Sequence, residues 1–476
     1  MLALAFAPFY LWPLAILIPA ALFWLNRDTL SLRQLFVNGW LFGIGYFGCG
    51  VYWIYNSLHD FGMAPPLVAG GITALLVIYL ALTPGLILVC WRCAERYLGK
   101  AGLWSLPFLW FGLEWFKGWF ATGMPWLSLG YSQTPSPLAG FAPLVGVYGI
   151  SALCVLMSVA LFVALRDRRY PPLALLLLVP LLGWGLQQID WTEAMSKPLE
   201  VTMVQGNVPQ QLKWRVDQRE HIFNTYLRET LLHPDSDLVI WPETALPGHS
   251  LQTRDSLLPA LQSVALQQDS VILSGLIYAE DRQPRFYNSV MQFGKETGLY
   301  HKRHLVMFGE YYPMRWLLDW LRDFINIPYS DLAAGPEQQE LMQVQGYRLG
   351  VSICFEDVFS RDILLALPAA NLLVNVSNDA WFGNSTAPHQ HMQIAQMRAL
   401  ESERVMMRAT NTGITAFIDH KGRVLSVTEQ FKTESISETV TGRSGATPFV
   451  YFARIQGLLA LLPLALLLLP LWRRSG

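Results

Sequence analysis

Charge is scarce in this chain. Asp, Glu, Lys and Arg make up 14% of its 476 residues, where an ordinary soluble protein carries roughly a quarter. That deficit excludes a single water-soluble globule. The net charge is −1, so the basic surplus that marks a nucleic-acid binder is missing too. Cysteine is sparse, with five residues in all. Cys49, Cys90, Cys93 and Cys154 lie in apolar segments, which leaves Cys354 alone in the polar part of the chain and without a disulfide partner there. Metal-ligand spacing is lacking apart from His389 and His391, which sit two apart at a helix-like start and do not share a face. No metal or other cofactor is therefore expected. No internal repeat or low-complexity linker interrupts the polar part of the chain.

What the chain does have is long apolar stretches. They fall at about 9–25, 35–55, 67–91, 103–122, 138–165, 172–189 and 453–472, each near the roughly 20 residues that cross a bilayer. No basic segment precedes the first and no small-residue cleavage site follows it, which reads against a cleaved signal peptide. Basic residues cluster after alternate stretches: Arg27 and Arg33, then Arg92, Arg96 and Lys100, then Arg166, Arg168 and Arg169, and finally Arg473 and Arg474. The intervening loops around His59-Asp60 and Ser132-Gln133 carry almost none. The positive-inside rule makes the basic segments cytoplasmic, which puts the polar region outside the cytoplasmic membrane. Glu114 and Lys117 interrupt the fourth stretch three residues apart, hence on one helix face. They read either as a functional pair or as charges snorkelling to an interface.

Three domains are expected: 1–190 transmembrane helices, 195–445 a soluble domain, and 450–474 a last transmembrane helix. Within the soluble part, β-branched runs at 201–205, 238–241, 271–275, 287–291, 349–353 and 372–376 alternate with helix-like segments at 216–232, 255–267, 389–404 and 314–325. Residues 415–418 and 424–427 form a hairpin across Asp419-His420-Lys421-Gly422. The alternation predicts a layered α/β domain with helices on both faces.

Chemistry concentrates in three clusters. Cys354 stands where an apolar β run, Gly350-Val351-Ser352-Ile353, meets the acidic start Phe355-Glu356-Asp357. A free thiol is only a few per cent ionised at neutral pH and needs a base or a positive charge to act. Glu243, in Trp241-Pro242-Glu243-Thr244, follows another strand, and Lys302 precedes Glu310 by eight residues in His301-Lys302-Arg303-His304-Leu305-Val306-Met307-Phe308-Gly309-Glu310. Taken singly, each has a plainer reading: a solvated carboxylate, a wetted basic run, a packed thiol. Strand ends in layered α/β domains converge on one sheet edge, where sites form.

In that order, Glu243, Lys302 and Cys354 resemble the Glu-Lys-Cys triad of the nitrilase superfamily. With the apolar stretches on both sides, Val204-Gln205-Gly206-Asn207-Val208-Pro209-Gln210, Lys213-Trp214, Ser377-Asn378-Asp379-Ala380-Trp381-Phe382-Gly383, Ala5-Phe6-Ala7-Pro8-Phe9 and Gly123-Met124-Pro125-Trp126, the chain is similar to the bacterial apolipoprotein N-acyltransferases. The resemblance implies a polytopic α-helical membrane bundle plus an exported αββα sandwich. Its implied reaction moves an acyl chain from a phospholipid, the sn-1 chain of phosphatidylethanolamine, through a Cys354 thioester. The acceptor is the α-amine of an S-diacylglyceryl cysteine at a lipoprotein's N-terminus. Glu243 would be the general base, and Lys302 with a backbone N–H near Phe355 would hold the oxyanion. Glu310 and Glu356 would support the site, while Trp214, Phe355, Trp381 and Asn378 would meet substrate. The implied setting is the bacterial inner membrane with the catalytic domain periplasmic.

The chain departs from the family pattern at Met307, which stands where the family's Leu-Val-Pro-Phe-Gly-Glu segment has proline, and at Phe355, where tyrosine is common. Only four residues precede Ala5, so seven spans are expected with an eighth left open. Two alternatives stand beside the resemblance. A membrane-anchored amidase or nitrilase-type hydrolase would use the same triad, and a transporter would show paired inverted repeats, which the sequence lacks.

Overall fold

The computed structural model describes residues 1–280, 285–314, 316 and 331–461. The chain folds as two compact units. One comprises Met1–Ile54, Gly70–Trp191 and the segment from Thr447; the other comprises Tyr55–Ala69 and Thr192–Ala446.

The first unit is helical, with helices Leu14–Leu25, Leu32–Gly50, Pro66–Leu80, Leu82–Leu98, Leu106–Lys117, Ala142–Asp167 and Leu175–Leu186. Among the described residues, two helical runs, Pro66–Lys117 and Pro137–Asp167, are long and apolar enough to cross a membrane, and Leu32–Gly50 with Trp53–Phe61 makes a third if that bent pair is one span. Leu14–Leu25 and Pro171–Leu186 are shorter apolar helices. The expected stretch at 453–472 falls mostly outside the described residues, as does the helix expected at 314–325. Small residues set one close approach: a Cβ on Gly43 would lie 2.7 Å from Ala81 Cα, and one on Gly39 would lie 2.5 Å from the Pro84 carbonyl. Packing of this kind is how helices associate where lipid supplies no hydrophobic drive.

Glu114 and Lys117 do not snorkel to an interface. Both are buried inside this unit. Glu114 accepts from Trp110 Nε1 at 2.9 Å and from the Leu129 backbone N–H at 3.0 Å, while Lys117 Nζ donates to the Trp126 carbonyl at 3.0 Å. The pair ties the non-helical segment after Gly123 to its own helix, because backbone groups released there find no water to bond.

The second unit is a four-layer sandwich. One six-stranded sheet runs, in spatial order, Glu434–Val440, Leu199–Gln205, Leu238–Ile240, Val271–Ala279, Phe286–Phe293 and Gly298–His301. The other runs Val424–Val427, Ala416–Ile418, Met406–Thr410, Leu372–Ser377, Tyr347–Ile353 and Met342–Val344. Their facing sides share one core: Val201, Met203, Leu238 and Ile240 from the first pack with Val351, Ile353, Val374 and Val376 from the second. On the first sheet's outer face, Val239, Trp241 and Ile272 pack against Ile222, Phe223 and Leu261 of helices Arg219–Leu231 and Leu257–Gln267. Helix Ala387–Ser402 packs on strand Met406–Thr410 of the second sheet. In the central strands of the first sheet, period-2 side-chain alternation sends one face to the shared core and the other toward a helix, so both faces are apolar.

All eight expected strands are present. The sequence reading missed Gly298–His301, Met342–Val344, Met406–Thr410 and Glu434–Val440. Of these, Met406–Thr410 (Met-Met-Arg-Ala-Thr) carries a central arginine that reads as loop or helix rather than as a buried strand.

Candidate active site

The predicted residues stand where strands end. Strands Tyr347–Ile353 and Leu372–Ser377 pair in parallel, so Cys354 and the Asn378–Asp379 turn leave from the same sheet edge. Glu243 follows strand Leu238–Ile240, and Lys302 follows Gly298–His301.

Cys354 takes a left-handed backbone conformation, φ +51. For a residue bearing a Cβ that is a strained choice which surrounding bonds must enforce. Two observed contacts do so. Asn375 Nδ2 donates to the Cys354 carbonyl at 3.2 Å, and the preceding Ile353 N–H donates to Glu356 Oε2 at 2.7 Å.

Glu243 is held at both oxygens. The Asn378 backbone N–H donates to Oε2 at 2.7 Å and Asn288 Nδ2 to Oε1 at 2.7 Å. Lys302 Nζ lies 3.7 Å from Glu243 Oε1 and 2.9 Å from Glu310 Oε2, and donates to Glu310 Oε1 at 3.0 Å. Asn288 Nδ2 also reaches Glu310 Oε1 at 2.8 Å, so one amide bridges the two carboxylates that flank the lysine.

The Lys302 backbone N–H donates to the Asn288 carbonyl at 2.8 Å. That bond extends the strand ladder by one residue and fixes the lysine beside the amide. Glu310 Oε2 also accepts the Val306 N–H at 2.8 Å, and the turn between them closes through Phe308 N–H to the Tyr311 carbonyl at 2.8 Å. Met307 therefore occupies its place in a turn held by hydrogen bonds rather than by a proline ring.

Glu356 is fully buried and links two segments. Besides Ile353, it accepts from Arg303 N–H at 2.6 Å, His304 N–H at 3.2 Å and Tyr300 Oη at 2.8 Å. The stretch around Lys302 is thus tied to the turn bearing Cys354. Asn378, read from the sequence as a substrate contact, has its side chain spent on Gln210 at 2.9 Å and Asn411 at 3.1 Å, and its backbone holds Glu243. Trp214, Phe355 and Trp381 are half-buried. Phe355 packs edge-on against Phe359 with centroids 5.1 Å apart; Trp381 packs edge-on against Phe61 at 6.5 Å.

The electrostatics are unequal across the site. Burial pushes the Cys354 thiol well above its ordinary range, with Glu243 adding to the rise and Lys302 opposing it. Burial pulls Lys302 down, yet Glu310 and Glu243 more than reverse this and hold it above its usual value. Burial lowers Lys213 to about 7, against the raising influence of Glu243 and Cys354. Glu356 is raised to about 6 by burial. The resting sulfur is therefore a thiol that must lose its proton as it reacts.

Sequence reasoning missed three groups. Asn288 gave no signal, being one polar residue in a β run. Lys213 was noticed only as part of a motif. The third is a buried charge network behind Cys354: Arg408 bonds Asp379 at 2.9 Å, Asp357 at 3.3 Å and Asn375 at 2.6 Å, while His391 Nε2 meets Asp357 at 2.7 Å. Among the described residues, no group of acidic, histidine and cysteine side chains is arranged to hold a metal ion.

A sandwich with a carboxylate, an ammonium and a thiol at its strand ends defines a class. Residues 200–448 match the carbon-nitrogen hydrolase family model, and residues 1–160 match the apolipoprotein N-acyltransferase N-terminal domain. The chain is 43% identical over 469 residues to an apolipoprotein N-acyltransferase of Nitrosomonas europaea, covering 97% of this chain and 93% of that one. It is 42% identical to the enzyme of that name from Methylococcus capsulatus, covering 94% and 90%. A CN-hydrolase superfamily protein of solved structure from Xanthomonas campestris aligns with a TM-score of 0.38 at 19% identity, over 56% of this chain and 97% of that chain. The chain belongs to the apolipoprotein N-acyltransferase family. It is an acyltransferase of lipoprotein maturation.

Proposed function

We propose that acyl transfer proceeds in two steps through a thioester on Cys354. In the first, the sulfur attacks the ester carbonyl of a phospholipid as Glu243 takes the thiol proton. Collapse of the tetrahedral intermediate breaks the ester C–O bond, and the leaving lysophospholipid alkoxide recovers the proton from Glu243. In the second, the α-amine of an S-diacylglyceryl cysteine attacks the thioester, Glu243 takes a proton from nitrogen, and the sulfur leaves and is reprotonated. Lys302, 3.7 Å from Glu243, helps hold the oxyanion together with a backbone N–H near Phe355, and Glu310 fixes Lys302.

The observation that carries this reading is Glu243. Both its oxygens are held, it lies 3.7 Å from Lys302, and its charge acts on the Cys354 thiol. The donor is phosphatidylethanolamine through its sn-1 chain. The apolar stretches at about 9–189 and 453–472 cross the bacterial inner membrane, and the domain at 195–445 lies on its periplasmic side. With both substrates anchored in lipid and water kept from the thioester, transfer outruns hydrolysis.

The purified protein incubated with acyl-labelled phosphatidylethanolamine tests the reading. We expect label on the peptide containing Cys354, discharged by a diacylglyceryl-cysteine peptide as an amide. Cys354→Ser should yield no acyl-enzyme, whereas Cys49→Ser, Cys90→Ser and Cys154→Ser should leave activity close to that of the wild type. Free fatty acid as the sole product would instead favour the hydrolase alternative.

A further inference from the structure

Three buried polar residues stand abreast in the second sheet. Ser352, Asn375 and Arg408 are register partners across the parallel strands Tyr347–Ile353, Leu372–Ser377 and Met406–Thr410, and none is more than 2% exposed. Their chain neighbours Val351, Ile353, Val374, Val376, Met407 and Ala409 belong to the core shared by the two sheets. Alternation therefore turns the polar row to the opposite face.

Asn375 is the centre of this row, and its amide has one possible orientation. Oδ1 accepts from Arg408 Nη1 at 2.6 Å, while Nδ2 donates to Ser352 Oγ at 3.1 Å and to the Cys354 carbonyl at 3.2 Å. A guanidinium only donates and a carbonyl only accepts, so a flipped amide would lose both of those bonds. Arg408 is itself anchored by Asp379 at 2.9 Å and Asp357 at 3.3 Å.

The Cys354 carbonyl and the Phe355 N–H belong to one peptide unit. That unit is trans, so its C=O and N–H point in opposite directions within one plane. Gripping the carbonyl therefore aims the N–H. Released from the grip, Cys354 would relieve its left-handed conformation, φ +51, by rotating the plane, and the N–H would swing with it.

We propose that Asn375 is a positioning residue for the oxyanion: by holding the Cys354 carbonyl it fixes the direction of the Phe355 N–H, which with Lys302 receives the charge formed on the acyl oxygen. The proposal rests on the acyl-enzyme reading above. Asn375 acts through the backbone and transfers no proton. Donors fixed in place before charge develops cost no reorganisation when it does, and the polar row supplies that fixity to the backbone donor.

Two reactions of the same sulfur separate this role from a general loosening of the fold. Acylation by phosphatidylethanolamine passes through an oxyanion; alkylation by iodoacetamide displaces iodide at a saturated carbon and does not. Asn375→Leu keeps the size of the side chain and removes both hydrogen-bonding groups. In that variant single-turnover acylation of Cys354 should fall roughly 10–10²-fold, less than the loss of an oxyanion donor outright. Its alkylation rate and half-saturating phospholipid concentration should each stay within about threefold of wild type, as expected when only a transition-state contact is weakened. A parallel fall in alkylation and acylation, or unchanged acylation, would overturn the proposal. If Asn375→Leu does not fold, Asn375→Asp decides, because it keeps the shape and the Arg408 bond but cannot donate to the carbonyl. There the ratio of the two rates is the measure, since it cancels any change in the ionisation of the shared sulfur. Absence of acyl-thioester in the wild type overturns the acyl-enzyme reading and this proposal together, whereas loss of the selective effect in the variants overturns this proposal alone.

Discussion

Glu356 shows how much one buried carboxylate can organise. Its oxygens gather three backbone N–H groups and a phenol, and those partners come from the Lys302 side of the site and from the Cys354 turn. Its folded pKa is raised to about 6 from 4.5. The folded state therefore holds its proton more tightly than the unfolded chain does. That contribution to stability is fully present below about pH 4.5 and is lost as pH rises through about 6. In melting experiments from pH 4 to 7.5, the wild type should lose about 2 kcal/mol relative to Glu356→Gln as pH rises. A pH-independent difference would mean the carboxyl does not titrate in that window. At this scale the sequence named Glu243, Lys302, Cys354, Glu310 and Glu356, since each follows a β run or sits in a conspicuous polar cluster. It offered no access to Asn288, whose importance lies in bridging Glu243 and Glu310 across 45 and 22 residues of chain.

Strand Met406–Thr410 carries the comparable lesson for elements. It pairs in parallel with Leu372–Ser377, and Arg408 opposite Asn375 points its charge at Asp357 and Asp379. One strand thereby joins the turn after Cys354, the turn after Asn378 and helix Ala387–Ser402 through His391. Burial works against Asp379, but Arg408 and His391 hold its carboxyl well below the usual range. Arg408→Met strips two buried carboxylates of their guanidinium, so we expect a loss of about 3–5 kcal/mol in unfolding free energy by denaturant titration. A loss below about 1 kcal/mol would show that the network relaxes at little cost. The sequence reading passed over this strand because an arginine at its centre breaks the apolar pattern. Counter-charges from the turns that follow Tyr347–Ile353 and Leu372–Ser377 make such a residue tolerable inside this sheet.

For the whole molecule, apolar helices and a polar sandwich are separate compact units. The proposed periplasmic placement of the sandwich draws its support from the alternation of basic residues between apolar stretches. On a cysteine-free background, a cysteine at exposed Arg423 should react with an impermeant maleimide applied to the periplasmic face. One at exposed Arg168 should react only after the cytoplasmic membrane is breached. The opposite pattern would invert the proposed topology.

The sequence by itself determined the two-part nature of the chain, the eight strands it named and the candidate thiol. These depend on composition, local periodicity and residue type, all of which act over short stretches. Tertiary structure alone decided that Lys302 lies between the carboxylates of Glu243 and Glu310, and it alone made Arg408 a core residue. Such pairing depends on partners brought together from distant parts of the chain, and no local pattern encodes it.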